Sequence, residues 1–233
     1  MKAEWVPVVH GLKIAIDGPS GSGKGTVAAM LAEAIGFPVL DTGLLYRFIA
    51  RMAMDRNMDV GDEDALAGLV QEVITNMEWR PEGIFYRGEN QAPRLRSEEV
   101  GAAASKVAAH PQVRRQLLAV QRQVAEKGCV MDGRDIGTVV LPDAQAKFYL
   151  TASLRERSRR RWAQLHSEQP EVSLERIVAD LKARDQRDAE RAHSPLQKAQ
   201  DAIHIDSTTM RVDEVLDRML AVLARRGLIR YAG

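Results

Sequence analysis

A glycine-rich segment at residues 18–26, Gly-Pro-Ser-Gly-Ser-Gly-Lys-Gly-Thr, constrains the fold of this chain more than any other feature. It directly follows residues 12–17, an apolar run with the length of a buried strand, and it directly precedes residues 27–36, a helical pattern ended by glycine. A strand, a glycine-rich turn and a helix in this order form an anion cradle, because the turn amides and the positive helix N-terminus point at one site. We therefore predict a strand–loop–helix unit that binds phosphate.

The spacing of the segment fits the P-loop pattern, with one departure. Lys24 stands where the P-loop lysine reaches the outer phosphates of a nucleotide. Gly25 stands where a Ser or Thr usually binds Mg²⁺, and Thr26 comes one residue later. The residues that we predict to bind the nucleotide are Gly18, Pro19, Ser20, Gly21, Ser22, Gly23, Lys24, Gly25 and Thr26.

Length and charge limit the classes of protein to which the chain can belong. Its 233 residues predict one large domain, or one domain with an insert. With 33 basic and 32 acidic residues the formal charge is +1, so nothing global attracts nucleic acid or an anionic membrane. A single cysteine, Cys129, fits a reducing compartment. The N-terminus has no signal-peptide pattern and no apolar run has membrane-span length, so we expect a cytoplasmic protein, and a monomer by default.

Short apolar runs alternate with helical patterns along most of the chain. The runs that predict strands are residues 13–17, 38–41, 129–132, 146–151 and 202–206. This alternation predicts an α/β fold, a five-stranded parallel sheet with helices on both faces. Ligands of such sheets bind beyond the carboxyl ends of the strands. Four of the runs end in aspartate, which marks the edge of the site: Asp17, Asp41, Asp132 and Asp206.

One region breaks the alternation. Residues 78–80, 83–88 and 93–96 predict three short strands separated by Pro and Gly, without helical crossovers. We therefore predict a small antiparallel three-stranded sheet, carried by an insert at about residues 43–106.

Residues 41–47, Asp-Thr-Gly-Leu-Leu-Tyr-Arg, follow the second predicted strand. Arg47 falls one turn into the next helix, near the strand tip and the P-loop, where it can hold a second phosphate. The alternative is a capped helix start in which Asp41 or Thr42 bonds backbone amides.

Residues 132–138, Asp-Gly-Arg-Asp-Ile-Gly-Thr, follow the third predicted strand. Asp132 ends an apolar run like the acidic strand that supports Mg²⁺ in P-loop enzymes. Arg134 and Asp135 are adjacent, so their side chains point in different directions, and one can serve a phosphate while the other serves a base edge. The alternative is a tight turn with a local ion pair.

Two further segments concentrate arginine. The first has five arginines within seven residues: Arg155, Arg157, Arg159, Arg160 and Arg161. Arginine forks bind phosphate oxygens in pairs, so we expect two of the five to be catalytic in a helix that closes over the nucleotide, the alternatives being a solvated basic face or an RNA contact.

The second arginine segment lies on a predicted helix whose spacing puts four charged residues on one face: Arg184, Arg187, Asp188 and Arg191. This face fits a sugar and a phosphate, or an ion-pair ladder. The five histidines and Cys129 show no metal-ligand spacing, and no Ser–His–Asp pattern is present.

The Gly-Lys-Gly-Thr ending of the P-loop is similar to that of the nucleoside monophosphate kinases. The resemblance implies ATP as phosphate donor with Mg²⁺ as cofactor. It also implies that Mg²⁺ is held partly through water and not by a direct P-loop ligand at Gly25. We expect no direct protein ligand of the metal, and Asp132 is the candidate for contact through water.

Within these kinases the chain most resembles the bacterial cytidylate kinases, along nearly its whole length. The segments that carry the resemblance are residues 17–26, 40–47, 132–140 and 205–209, together with the three-stranded insert. It implies one kinase domain over 1–233. The core would span about 12–42, 107–152 and 195–228, with a CMP-binding insert at about 43–106 and a lid at about 153–170.

The resemblance also implies roles for individual residues. Ser105, Arg114 and Asp135 would read the cytosine. Arg184 and Asp188 would contact the ribose. The monophosphate would be surrounded by Arg47, Arg134 and Arg191, with Thr42 and Tyr46 beside the CMP. The implied catalytic residues are Lys24, Arg134, Arg157 and Arg161.

These observations predict transfer of the γ-phosphate of ATP to CMP or dCMP, with these small molecules as the partners and no nucleic acid or membrane involved. Two alternatives stay open at this point. One is another small-molecule kinase of the same core, such as a UMP/CMP or AMP enzyme. The other is a nucleotide-dependent switch or an RNA-binding ATPase that uses the arginines of residues 155–161.

Overall fold

A computed structural model of the chain describes residues 5–80, 83–166 and 171–232; residues 1–4, 81–82, 167–170 and 233 lie outside the described part. The chain forms two compact units. Unit 1 comprises Met1–Val39 and Lys127–Gly233, and unit 2 comprises Leu40–Glu126. Within the described residues, no helix is both long enough and apolar enough to cross a lipid bilayer.

The regular elements alternate as the sequence pattern predicts. The strands are β1 (Trp5–Pro7), β2 (Lys13–Asp17), β3 (Val39–Asp41), β4 (Met77–Arg80), β5 (Gly83–Tyr86), β6 (Glu89–Asn90), β7 (Cys129–Gly133), β8 (Ala146–Thr151), β9 (Ile203–Asp206) and β10 (Ile229–Tyr231). The helices are α1 (Lys24–Ile35), α2 (Thr42–Asp55), α3 (Glu63–Ile74), α4 (Glu98–Val107), α5 (Pro111–Val124), α6 (Leu154–Leu165), α7 (Leu174–Glu190) and α8 (Val212–Arg225).

The main sheet has five strands in the order β3-β7-β2-β8-β9. Strand β2 runs parallel to both β7 and β8, and β8 runs parallel to β9. The strand order differs from the chain order, and each parallel neighbour is reached through a crossover connection. The predicted α/β fold with a five-stranded parallel sheet is confirmed, and each strand lies within a residue of its predicted bounds.

The core of unit 1 forms where the apolar faces of α1 and α8 meet the sheet. Ile14 and Ile16 of β2 and Phe148 of β8 are fully or almost fully buried there against Leu31 of α1 and Met219 of α8. Burial of side chains of this size contributes about 1.5–3 kcal/mol each, which holds the carboxyl ends of the strands in fixed positions.

A two-stranded ribbon in unit 1 was not predicted. Strand β1 pairs antiparallel with β10, and Trp5 meets Tyr231 edge-on with 5.4 Å between ring centroids. Each strand has only three residues, too few for a period-2 pattern, and the partners lie at opposite ends of the chain.

Unit 2 contains four helices and a small antiparallel sheet in the order β4-β5-β6. Its own core packs Phe48 and Ile49 of α2 with Leu66 of α3, Val107 of α4 and Leu117 of α5. The predicted three-stranded antiparallel sheet is therefore confirmed.

The position predicted for the third strand of that sheet is wrong. The strand is β6, and residues 92–94 form a helical turn instead of part of a strand at 93–96. Asn90 Oδ1 accepts a hydrogen bond from the amide of Ala92 at 2.9 Å, which starts the turn, and Pro93 has no amide to donate to a strand ladder.

Candidate active site

The predicted P-loop connects β2 to α1 in unit 1. Gly23 is the N-cap of α1 and has φ 88°, a left-handed conformation that side chains disfavour. The amide of Val27 donates to Gly23 O at 3.1 Å and so begins the helical ladder. Lys24 is buried and its Nζ donates to Pro19 O at 3.3 Å, so the lysine folds back over the loop. The segment thus has the geometry of a phosphate-binding loop, with the ammonium group of Lys24 lying over it.

Asp17 joins the P-loop strand to the segment that follows β7. Its carboxylate accepts hydrogen bonds from the amides of Ile136 and Gly137 at 2.8 and 2.7 Å. Burial raises the pKa of Asp17 to about 6, because desolvation of the charged form outweighs the two hydrogen bonds and the nearby charge of Lys24. Asp17 therefore fixes the turn that starts after Asp135, directly beside the P-loop.

Arg134 projects from the end of β7 onto α7. Its Nε donates to Asp188 Oδ2 at 2.7 Å, and the side chains are 15 % and 6 % exposed. Burial would lower the pKa of Arg134, but the carboxylates of Asp188, Asp132 and Asp185 raise it above its ordinary value. The guanidinium therefore stays charged in a nearly solvent-free position, as a phosphate ligand requires.

Three predicted arginines surround Asp188. Burial alone would raise the pKa of Asp188, but the positive charges of Arg134, Arg191 and Arg184 hold it below its usual range. Unit 1 therefore brings together four residues for which the sequence predicts contact with ribose or monophosphate.

The predicted shared helix face of this segment is wrong in two details. Arg187 is exposed while Asp188 is buried, and α7 ends at Glu190, so Arg191 is extended with ψ 131° and does not continue the face. Pro195 follows four residues later, in a segment that carries no helix.

Arg157 of α6 is buried against the P-loop. Its Nε donates to Ala152 O at 2.9 Å and its Nη1 donates to Ser20 O at 3.0 Å. Its Cβ lies 3.1 Å from the position that a Cβ on Gly21 would take. Nη1 also lies 2.7 Å from Asp185 Oδ2. Of the two predicted lid arginines, Arg157 thus contacts the nucleotide loop directly.

Arg161 is the other predicted lid arginine, and it lies partly exposed one turn further along α6. Its Nη1 donates to Gln164 Oε1 at 3.2 Å. The remainder of the predicted lid reaches residues 167–170, which lie outside the described residues.

Sequence reasoning did not single out Arg160 or Ser207. Arg160 Nη2 donates to Ser207 O at 2.6 Å, and the Ser207 hydroxyl donates to Ser22 O at 3.2 Å. The two residues therefore link α6 and the loop after β9 to the P-loop. Both residues lie in segments that the sequence analysis marked as functional, 155–161 and 205–209. The sequence of each segment does not show which of its residues makes the contact.

The region around Gly25 suits an oxygen-ligated cation. A Cβ on Gly25 would lie 3.8 Å from Asp132 Oδ2, so this buried carboxylate faces the start of α1. In the described part of the chain, no three His, Cys, Asp or Glu side chains group as a metal site. One carboxylate beside a phosphate cradle is the protein contribution typical of Mg²⁺ bound mainly by phosphates and water.

Unit 2 holds Arg47 on α2, where Nη1 donates to Leu95 O at 2.7 Å and to Ser97 O at 3.1 Å. A Cβ at Gly101 of α4 would lie 2.8 Å from Arg47 Nη2, so a glycine lets the guanidinium lie flat on that helix. The alternative interpretation of residues 41–47, a capped helix start, is also observed. Asp41 Oδ1 caps α2 by accepting a hydrogen bond from the amide of Gly43 at 2.8 Å.

The predicted base-reading residues are divided between the units. In unit 2, Arg114 of α5 lies 5.4 Å from the ring centroid of Tyr46 and its Nη1 donates to Ala108 O at 3.2 Å. Ser105 of α4 is buried in the same unit, as is Thr42 at the start of α2. The third member of the trio, Asp135, is buried in unit 1.

Comparison with known proteins identifies the family. The family model described as cytidylate kinase matches residues 14–225. Cytidylate kinase of Pseudomonas savastanoi pv. phaseolicola is 46% identical, over 92% of this chain and 96% of that protein. Cytidylate kinase of Stutzerimonas stutzeri is 47% identical, also over 92% of this chain and 96% of that protein.

One solved structure supports the fold independently of close sequence likeness. An uncharacterized protein from Eubacterium ventriosum covers 91% of this chain and 98% of its own length, with TM-score 0.53 and 16% identity. The sequence resemblance is therefore confirmed, and the chain belongs to the cytidylate kinase family.

Proposed function

We propose that the chain transfers the γ-phosphate of ATP to CMP or dCMP, giving ADP and CDP or dCDP. The observation that carries this proposal is the charged cluster of unit 1, in which Arg157 and Asp185 connect the P-loop of Lys24 to the buried pair of Arg134 and Asp188. Phosphoryl transfer depends on positioning and on stabilising the charge of the transferred group, and this cluster supplies both. Membership of the cytidylate kinase family supplies the acceptor.

On the donor side, the loop amides of residues 18–26 and Lys24 would hold the ATP phosphates. Arg157 and Arg161 would stabilise the charge that moves with the γ-phosphate. Residues at about 153–170 would close over the nucleotide as a lid, which excludes water and so prevents hydrolysis of ATP. The support is the contact of Arg157 with Ser20 O inside the P-loop.

On the acceptor side, the insert at about residues 43–106 would cover CMP. An aspartate can accept from the cytosine amino group and an arginine can donate to N3 and O2, which fits Asp135 and Arg114 and rejects uracil. Ser105 would complete the base site. Thr42 and Tyr46 would line it, Arg184 and Asp188 would bind the ribose, and Arg47, Arg134 and Arg191 would bind the monophosphate.

The reaction needs no covalent enzyme intermediate. An oxygen of the CMP phosphate attacks the γ-phosphorus of ATP, the bond from that phosphorus to the β–γ bridging oxygen breaks, and ADP leaves with the bond electrons. Lys24 and the arginines stabilise negative charge on the oxygens during this exchange.

Mg²⁺ fits beside the P-loop as the cofactor that accompanies ATP. Asp132 would contact its water shell, since this carboxylate faces Gly25. When bound, the ion neutralises charge on the phosphates. We further propose a monomer that works in the cytoplasm, without nucleic acid or membrane partners.

The test measures ADP release from ATP and Mg²⁺ with CMP, dCMP, UMP, AMP, GMP and dTMP offered singly. We expect fast turnover with CMP and dCMP and little with the other acceptors. Turnover with a different monophosphate would keep the kinase and discard the base site of Ser105, Arg114 and Asp135. ATP hydrolysis that responds to RNA and to none of the monophosphates would reject the proposal.

A further inference from the structure

Asp185 of α7 lies at the centre of the unit 1 cluster, although neither the sequence patterns nor the predicted family roles assign it a part. Its Oδ2 lies 2.7 Å from Arg157 Nη1. Its charge also acts on Arg134, which pairs with Asp188 one turn further along α7. One turn of α7 thus presents two carboxylates to two of the predicted catalytic arginines.

The charge of Arg157 needs a partner where it lies. The side chain of Arg157 is 7 % exposed and that of Asp185 is 24 % exposed. A guanidinium removed from water at this depth is strongly disfavoured unless an anion compensates it, and removal of one member of a buried pair leaves the other charge uncompensated. Two backbone carbonyls, Ala152 O and Ser20 O, fix the plane of the fork but carry no net charge.

The contacts of Arg157 with Ala152 O, Ser20 O and Asp185 leave one nitrogen of its guanidinium available to a ligand. They use Nε and Nη1, so Nη2 takes part in none of them. The guanidinium can therefore donate to an anion from Nη2 while it remains bound to the P-loop carbonyl and to Asp185. The planar fork makes this double engagement a property of arginine that a lysine would not reproduce.

We propose that Asp185 is a positioning residue that holds the Arg157 guanidinium against the P-loop carbonyl of Ser20 and so sets the affinity for ATP. The inference rests on the proposed function, because it takes ATP as the ligand of the loop. Asp185 acts through Arg157 and does not itself touch the nucleotide.

The first test removes the negative charge of Asp185 and keeps the shape of its side chain. Asp185→Asn should raise KM for ATP about tenfold and change KM for CMP less than twofold, since the contact is on the P-loop side. Asp180→Asn is the matched control, because Asp180 lies on the same helix, is 69% exposed and is 4.0 Å from its partner Arg176. Equal changes in KM for ATP and for CMP, or an equal effect of the control, would overturn the inference.

The second test asks whether the effect passes through Arg157. In the double variant Arg157→Gln with Asp185→Asn, the aspartate substitution should add no further loss to that of Arg157→Gln alone. Independent, additive losses would contradict the positioning role. If Asp185→Asn does not fold, Asp185→Glu, which keeps the charge, should retain most of the ATP affinity, and loss of that affinity in a folded variant would equally contradict it.

Calorimetric titration with ATP alone separates this inference from the proposed function. Asp185→Asn should bind ATP about tenfold more weakly than the unchanged chain, whichever monophosphate is the acceptor. Equal ATP affinities with intact CMP turnover would remove the inference and leave the function. Weaker ATP binding with no CMP turnover in the unchanged chain would remove the proposed acceptor and keep the role of Asp185.

Discussion

In unit 1, Arg134 lies against the carboxylate of Asp188 at 2.7 Å, whereas in unit 2 Arg47 donates to the main-chain oxygens of Leu95 and Ser97 at 2.7 and 3.1 Å. Both arrangements fix an arginine by at least one strong hydrogen bond. Only the first adds a charged partner, the buried carboxylate of Asp188. A carbonyl fixes the orientation of a guanidinium and contributes a dipole alone.

The difference indicates a division of work between the units. A dense set of alternating charges at the ends of β2 and β7 is suited to a transition state in which charge moves between oxygens. Arginines fixed by carbonyls on a helical unit are suited to holding the acceptor nucleotide in place before the transfer. We therefore expect substitution of Lys24 or Arg134 in unit 1 to lower kcat, and substitution of Arg114 in unit 2 to raise KM for CMP.

The largest effect is expected at Lys24. Lys24→Met should lower kcat by at least about 100-fold, equivalent to about 3 kcal/mol, because it removes a preorganised cation from the P-loop. Steady-state ADP release at saturating ATP and CMP measures this. Lys182→Met on the exposed side of α7 is the control and should leave kcat unchanged. Near-full turnover of Lys24→Met would refute the mechanism.

Arg134 comes next. Arg134→Gln should lower kcat on the order of 100-fold, and it should also reduce the free energy of unfolding by about 3 kcal/mol, because Asp188 loses its buried partner. Turnover and urea unfolding of one preparation measure the two losses. Arg176→Gln, at a position 78% exposed on the same helix as Asp188, should change neither. A variant that loses stability while kcat holds would restrict Arg134 to a structural role.

A smaller and different effect is expected in unit 2. Arg114→Gln should raise KM for CMP roughly 10- to 100-fold and leave KM for ATP nearly constant, because the charged hydrogen-bond donor that we propose for the base is lost. The exposed neighbour Arg115→Gln is the control. If Arg114→Gln lowers kcat and spares KM for CMP, the proposed division between the units is wrong.

The last expected effect concerns the pH dependence of stability and not turnover. The pKa of Asp17 is about 6 in the fold against an ordinary 3.8, so the folded state favours the protonated carboxyl. Its contribution to stability is therefore fully present below about pH 3.8 and is lost as pH rises through about 6, by up to about 3 kcal/mol. Asparagine does not titrate, so the unfolding free energy of the unchanged chain minus that of Asp17→Asn should fall between pH 4 and pH 7. Urea unfolding at four pH values gives this difference, and a constant difference would contradict the assignment.

The strands of the main sheet were predictable because local signals agree. Residues 14–16 are apolar, are followed by Asp17 and lead into a glycine turn, so length, composition and flanking residues point to one structure. The P-loop is equally local: its Gly23 takes the left-handed conformation that the motif requires. By contrast, β1 and β10 depend on a pairing between the two ends of the chain, which no local window contains.

The sequence predicted which segments form the candidate site more readily than which side chains pair within it. The family resemblance selected Arg157 and Arg161 from a run of five arginines, but the contact of Arg160 with Ser207 arises only when α6 meets the loop after β9. Asp185 and Asp188 have the same side chain three positions apart, and the sequence does not show that each has its own arginine. Packing between distant segments decides these partners.

Transfer of label from [γ-³²P]ATP to CMP, with the products separated by chromatography, tests the central claim most directly. The account predicts that label appears in CDP at the rate at which ADP forms, that little inorganic phosphate is released, and that Lys24→Met slows the transfer at least about 100-fold. Label released as inorganic phosphate at the same rate with or without CMP would contradict it.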